Sequence, residues 1–477
     1  MSKNILFITA DQWRGECLSS LGHPVQTPNL DMLAREGVLF QQNFCNATPC
    51  GPSRASIHTG TYLKSHRVTG NHVTMQRRLT NWAEVLRESG MDPVMFGYTD
   101  NQMSADDAAG WDSGLPGLAT ELSLGKLESD PVAWANWLQA HDYPLPESLK
   151  DLYFQEKDGS INKNPIGSTT AAALKVPAEL HDTWFMVDQV IDYVSSRPSW
   201  CVHLSLLRPH PPWTAPEPYN SLYPPEALPP ILRPNTLAEE RSTHPWLDWM
   251  LQAMGGIWID DKHIQGMKAG YYGLMSEVDA NLGRLFATLK ANGQWQNTLI
   301  IFTSDHGEQL GDHWLIGKTG FYDQSFRVPL IIFDPAHSAD DTRGQRVNAF
   351  TESIDLMPTM LEWMDVEIPE QCAGRSLLPF LSGLGAPDNW RDAAHWEYDF
   401  RGQKIQDGLG LDAETSSLGV LRGVDYKYVH FDGLPSLYFD LAQDPQERRN
   451  VIDNHAYSDR VTDAVERFHA LAVNHPE

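Results

Sequence analysis

Four short segments carry residues able to do chemistry. Asp11-Gln12 and Asp305-His306-Gly307-Glu308 each follow directly on a short apolar run, Asn4 to Ala10 and Thr298 to Ser304. Arg208-Pro209-His210 follows a third run, Trp200 to Leu207. Either aspartate alone is an ordinary helix N-cap. Two carboxylates at the mouths of neighbouring strands, however, repel one another unless a cation lies between them. With a histidine beside one of them, the pair points to a metal site. Asp11, Gln12 and Asp305 offer oxygen and His306 offers nitrogen, a set for one divalent ion. All-oxygen sites suit Ca²⁺, whereas an imidazole moves preference toward Mn²⁺ or Zn²⁺.

The fourth segment is Cys50-Gly51-Pro52-Ser53-Arg54-Ala55-Ser56-Ile57-His58-Thr59-Gly60. Pro52 suits the first turn of a helix and Gly60 its C-terminal cap. Cys50 then lies at the helix N-terminus, where free N–H groups and the positive end of the dipole attract anions. A lone cysteine commonly serves as a small buried hydrophobe. Proline and arginine at fixed offsets favour a functional reading here.

These segments need a scaffold. Apolar runs of buried-strand type recur at Asn4 to Ala10, Pro93 to Tyr98, Trp200 to Leu207, Thr298 to Ser304 and Val328 to Phe333. Helical patterns fall between them at Asn29 to Glu36, Asn81 to Ser89 and Gly266 to Lys290. The last carries Tyr271, Leu274, Met275, Val278, Leu282, Leu285, Phe286 and Leu289 at steps of three and four, a core-facing stripe. Strands alternating with helices predict an α/β fold with a mostly parallel central sheet flanked by helices. Sites in such sheets form beyond the carboxyl ends of the strands. Ten of the 32 prolines fall within Pro209 to Pro234, which excludes helix and inner strand and predicts an ordered rim. Past Gln371, short strands at His395 to Phe400, Leu418 to Arg422, Tyr426 to Phe431 and Leu437 to Leu441 lack crossover helices. They predict a smaller antiparallel sheet, closed by an amphipathic helix from Ser458 to Val473. The expected division is 1–370 for the catalytic part and 371–477 for this C-terminal subdomain.

Composition narrows the partners. The 477 residues hold 62 Asp+Glu against 36 Lys+Arg, a net charge of −26. Such a surface repels nucleic acid and anionic membrane, so neither is an expected partner. No apolar run approaches the ~20 residues that cross a bilayer. The run Ile5-Leu6-Phe7-Ile8 is too short for a signal-peptide core, and five cysteines without C-x-x-C spacing suggest no disulfide framework. The cytoplasm is the expected location.

Cys50-x-Pro52-x-Arg54 followed by Thr59-Gly60 resembles the sulfatase signature of the alkaline phosphatase superfamily. The resemblance extends over Asp11, Thr27-Pro28-Asn29-Leu30-Asp31, Asp305-His306-Gly307, Gly317-Lys318 and the segment Leu437 to Asn450. Asp11-Gln12-Trp13-Arg14-Gly15, His66-Arg67 with Asn71 following, Gly97-Tyr98-Thr99 and Arg208-Pro209-His210-Pro211-Pro212 are similar to the branch of phosphonate monoester hydrolases and promiscuous arylsulfatases. Two departures from typical sulfatases are Gln12 in place of a second Asp and His306 in place of an Asn. Asp100 stands where relatives acting on phosphonates tend to carry a small hydroxyl residue.

The resemblance implies that a maturation enzyme converts Cys50 to Cα-formylglycine, and that Cys50 also contacts the metal. It implies a hydrolase of small anionic esters: an arylsulfatase promiscuous toward phosphonate monoesters and phosphodiesters, or the reverse ranking. Arg54 would orient the nucleophile, His210 would protonate the leaving oxygen with Lys318 as its rival, and Asn71, Tyr98 and Asp100 would line the substrate pocket. A homodimer is expected by the same analogy. Two rival functions stay open: a phosphodiesterase using unmodified Thr48 or Ser53, and an anion-binding homologue without turnover.

Overall fold

The computed structural model describes residues 3–71, 73–104, 107, 110–124, 131–164, 166–253 and 260–474. Eight strands share one sheet. They are β1 (Asn4–Ala10), β2 (Val38–Phe44), β3 (Pro93–Gly97), β4 (Ala119–Ser123), β5 (Cys201–Leu206), β6 (Thr298–Thr303), β7 (Leu330–Phe333) and β8 (Gln345–Glu352). Their spatial order is β4-β3-β5-β1-β6-β7-β2-β8. β1 runs parallel to both β5 and β6, and β3 parallel to β4 and β5. β7 alone is reversed against its neighbours β6 and β2. The five apolar runs are the sheet's interior: every residue of β1, β5 and β6 is buried, because helices cover both faces.

Three strands lie outside those runs, for a physical reason in each case. β4 and β8 are the two edges: β4 is half-buried to exposed throughout, and β8 mixes buried with exposed positions. β2 carries Gln41, Gln42 and Asn43 in its middle, which breaks the apolar pattern.

The flanking helices include α1 (Pro28–Glu36), α2 (Cys50–Thr59), α3 (Trp82–Glu88), α4 (Asp182–Ser195) and α5 (Asp261–Ala291). α5 starts five residues before the apolar stripe announces it, because Asp260 accepts the His263 N–H at 3.0 Å as its N-cap. Its whole stripe from Tyr271 to Leu289 is buried. The proline-rich segment lies directly on this helix. A Cβ at Gly270 would meet the Trp213 carbonyl at 2.2 Å, so only glycine permits the approach.

A second sheet is antiparallel, with β9 (Ala394–Asp399), β10 (Ser417–Arg422), β11 (Tyr426–Phe431) and β12 (Leu437–Asp440) in the order β12-β11-β10-β9. Helix α6 (Ser458–Asn474) covers it through Ala464 and Phe468. Leu377, Phe380 and Leu381 still pack with Phe40 and Val347 in the core of the large sheet. β9 docks beside the strand that leads to Cys50: the Glu397 N–H donates to the Asn46 carbonyl at 2.9 Å. Among the described residues, no helix is long and apolar enough to cross a membrane.

Candidate active site and metal centre

Four adjacent strands, in the order β3, β5, β1 and β6, end on the residues the sequence singles out. β3 leads to Tyr98 and Asp100, β5 to Arg208 and His210, β1 to Asp11 and Gln12, and β6 to Asp305 and His306. Opposite them stands α2, all ten of whose residues are buried, with Gly60 at φ +67° ending it in the left-handed conformation. Gly51 in its first turn is closely packed: an added Cβ would lie 3.2 Å from Asn71 and 3.3 Å from the Asp100 carbonyl, tighter than most Cβ contacts.

Asp11, Cys50, Asp305 and His306 converge so that one ligand atom of each lies within 4.8 Å of the others. Cys50 Sγ is 3.2 Å from His306 Nε2. His306 Nδ1 lies 3.0 Å from the Gly307 carbonyl. A carbonyl only accepts, so Nδ1 carries the proton and the Nε2 lone pair faces the cluster. Asp305 Oδ1 accepts the Gln12 and His306 N–H groups at 3.1 and 3.0 Å. Asp11 Oδ1 is buried with no hydrogen-bond partner, the condition a cation relieves. Two buried carboxylates, an imidazole lone pair and an orphaned carboxylate oxygen therefore fit a divalent ion.

Arg54 binds the same carboxylates from behind. Its Nε donates to Asp305 Oδ2 at 2.9 Å and its Nη2 to Asp11 Oδ2 at 3.2 Å, while Nη1 donates to the Tyr98 carbonyl and Ser205 Oγ. The Tyr98 hydroxyl also donates to Asp11 Oδ2. In this structure Arg54 and Tyr98 thus hold the ligand carboxylates. Burial opposes ionisation of Asp11, yet Lys318, His210, His306 and Arg54 hold it well below the usual carboxylate range.

Lys318 reaches the cluster from the loop after β6. Its Nζ donates to Cys50 Sγ at 3.0 Å and to Gln12 Oε1 at 2.9 Å. Burial disfavours its charge, but Cys50, Asp11 and Asp305 outweigh that and raise its pKa. Burial and Asp11 push the Cys50 thiol well above its usual range. Gln12 sits at φ +71°, a conformation that costs a non-glycine residue about 1–3 kcal/mol. Its carbonyl accepts the Tyr271 hydroxyl at 2.6 Å, and its side-chain Nε2 donates to Glu308.

His210 Nδ1 lies 2.8 Å from the Pro211 carbonyl, so it carries the proton there. Burial and the Lys318 charge pull this imidazole down to about 4. Arg208 anchors its loop, pairing with Asp182 at 3.1 Å and donating to the His210 carbonyl at 3.1 Å. Asn71 Oδ1 accepts the Gly51 N–H at 2.8 Å, at the start of α2. Asp100 lies near enough to add negative charge at Cys50. The Ser53 hydroxyl donates to the Asp305 carbonyl, which occupies its proton in the frame of the site.

Sequence reasoning did not assign Glu308, Ser205, Asn101 or Tyr271. Asn101 Nδ2 donates to the Gly51 carbonyl at 2.7 Å. The one signal for Glu308 was its place just after Asp305-His306; the others became site residues only through contacts across the fold.

The sulfatase family matches residues 3–366, and the family described as N-sulphoglucosamine sulphohydrolase, C-terminal, matches residues 311–474. The chain is 37% identical to the multifunctional alkaline phosphatase superfamily protein PehA of Trinickia caryophylli, covering 100% of this chain and 96% of that protein. It is 29% identical to an arylsulfatase of Clostridium perfringens, over 97% of this chain and 92% of the other. The crystal structure of a phosphonate monoester hydrolase of Agrobacterium radiobacter superposes with a TM-score of 0.93 at 36% identity, covering 99% of this chain and 96% of that one. The chain belongs to the sulfatase family of the alkaline phosphatase superfamily.

Proposed function

We propose that this hydrolase acts on singly charged esters, with phosphonate monoesters and phosphodiesters as its main substrates and sulfate monoesters as a second class. The reaction runs through Cα-formylglycine formed from Cys50. One observation carries the reading: Cys50 Sγ stands at the N-terminus of α2, 3.0 Å from Lys318 Nζ and 3.2 Å from His306 Nε2, inside the carboxylate cluster. Sγ marks the place the formylglycine oxygens would take.

The hydrated aldehyde carries two hydroxyls on one carbon. One loses its proton and attacks phosphorus or sulfur while the ester's alcohol leaves with a proton; the other then loses its proton and expels the phosphonate, phosphate monoester or sulfate, restoring the aldehyde. A thiol offers no second hydroxyl and would stop at the covalent stage. When bound by Asp11, Gln12, Asp305 and His306, a divalent ion supplies Lewis-acid charge that polarises the ester. Mn²⁺ is the preferred ion, with Ca²⁺ and Zn²⁺ as alternatives. Arg54 and Tyr98 keep the ligand carboxylates in place. Lys318 and the Asn71 amide meet the nonbridging oxygens as charge shifts onto them. His210 gives a proton to the leaving oxygen once the bound anion has raised its affinity for one.

Cys50 is only 3% exposed, so a maturation enzyme must reach it before α2 is packed. Asp100 offsets part of the local positive charge, which favours singly charged esters over doubly charged phosphate monoesters. The resemblance to an arylsulfatase supports sulfate monoesters as the alternative main class. The test is the mass of the peptide containing residue 50 together with kcat/KM on nitrophenyl esters of phenylphosphonate, phosphate diester, sulfate and phosphate monoester. Aldehyde or its hydrate and a preference for the first two are expected. Full turnover with only thiol at position 50, or greater kcat/KM on the phosphate monoester, would refute the proposal; greater kcat/KM on sulfate would reverse the ranking.

A further inference from the structure

Glu308 is fully buried, yet among the described residues it pairs with no cation. Its Oε1 accepts the backbone N–H of Leu310 at 2.8 Å and of Gly317 at 2.6 Å, and its Oε2 accepts Gln12 Nε2. On the other side of the Gln12 amide, Lys318 Nζ donates to Oε1 at 2.9 Å. A carboxylate only accepts and an ammonium only donates, so these two neighbours dictate which end of the amide faces which way. We infer that Glu308 is the positioning residue that turns Gln12 Oε1 toward the metal cluster, and that the same carboxylate fixes Lys318 by holding the N–H of Gly317 beside it.

The inference rests on Gln12 being a metal ligand, as the proposed function has it. It has a sharp consequence. In Glu308→Gln, the new amide keeps its oxygen on the Leu310 and Gly317 N–H groups and points its Nε2 at Gln12 Nε2. Two donors then face each other. Gln12 escapes by flipping, which turns its own N–H groups onto Lys318 and toward the ion. With a glutamate side chain at position 12 the match reverses: facing Glu308 it sets two acceptors against each other, whereas facing a glutamine at position 308 it accepts that side chain's N–H.

Mn²⁺ affinity, measured by equilibrium dialysis on wild type, Glu308→Gln, Gln12→Glu and the double variant, tests this without any activity reading. Losses of metal affinity on removing such a supporting partner run about 10–100-fold. Glu308→Gln should show that loss in the wild-type background and a gain in affinity in the Gln12→Glu background, where it restores a donor–acceptor pair. An equal effect of Glu308→Gln in both backgrounds, or none in either, would overturn the inference. If Glu308→Gln alone fails to fold, Gln12→Glu against the double variant still decides it: higher Mn²⁺ affinity in the double variant is expected, and equal or lower affinity would overturn the inference. Asp11→Ala separates the two readings: retained Mn²⁺ there sinks the metal site itself, whereas its loss beside an unaffected Glu308→Gln sinks only the role of Glu308.

Discussion

His210→Ala should lose activity steeply on esters of weakly acidic alcohols and little on nitrophenyl esters. The size of the effect follows from the site. Burial and Lys318 hold His210 down to about 4, so at pH 7 about one imidazole in 10³ carries the second proton in the free protein. To act as an acid at neutral pH it must be lifted by about three pKa units, worth about 4 kcal/mol at 1.36 kcal/mol per unit. An anionic ester bound against Lys318 and His210 is the source of that lift, opposing the Lys318 charge that now depresses it. General-acid contributions run about 10²–10⁴-fold, largest where the departing oxygen develops the most charge. The assay is kcat/KM for wild type, His210→Ala and Lys318→Ala across aryl esters of graded leaving-group acidity. The wild-type dependence on leaving-group pKa should be shallow and that of His210→Ala steep. An equal loss on every ester would remove His210 from proton transfer and leave the role to Lys318, which the site keeps protonated.

Arg54→Met should strip the guanidinium from two buried carboxylates at nearly constant volume. Removing one partner of a buried pair costs about 3–5 kcal/mol, so the metal-free variant should unfold at lower temperature and recover part of the loss on Mn²⁺ addition; unchanged metal-free stability would contradict the role given to Arg54. His58 and His66 are both held neutral by burial, each down to about 3, with the Arg54 charge adding to the effect at His58. Their folded-state pKa lies below the unfolded ~6.5, so their contribution is complete above about pH 6.5 and is lost as pH falls toward 3, by about 2 kcal/mol each between pH 7 and 5. Denaturant unfolding of His58→Gln and His66→Gln should show a flatter acid limb than wild type, and an unchanged limb would refute the assignment. Asp100→Thr removes a negative charge near residue 50 and should shift kcat/KM toward the phosphonate ester relative to sulfate; no change in the ratio would place Asp100 outside the selectivity of the site.

The fold was legible where one physical term dominated. β1, β5 and β6 are buried on both faces, so their apolar runs stand out, and the stripe of α5 does the same at helical period. The edge strands β4 and β8 and the polar middle of β2 were not legible, because half-exposed or hydrogen-bonded positions carry no apolar signature. Asp260 moved the start of α5 through a cap that periodicity does not register.

The site divides in the same way. Residue type and position beside a strand end are local, and they were enough to single out Asp11, Gln12, Asp305, His306 and His210; Cys50 stood out at a helix start, and Lys318 only through the resemblance to the sulfatase signature. What each group touches depends on partners far away in the chain. Arg54 grips Asp11 and Asp305 from a different element, Tyr98 gives its hydroxyl to Asp11, and Glu308 joins Gln12 to Gly317. The tautomers of His306 and His210 are set by carbonyls that only the folded loops bring near. Spacing in a sequence can say that oxygen, nitrogen and sulfur donors are present. Which lone pair is left open toward a cation is decided by burial and by hydrogen bonds across the sheet, and those exist only in the tertiary structure.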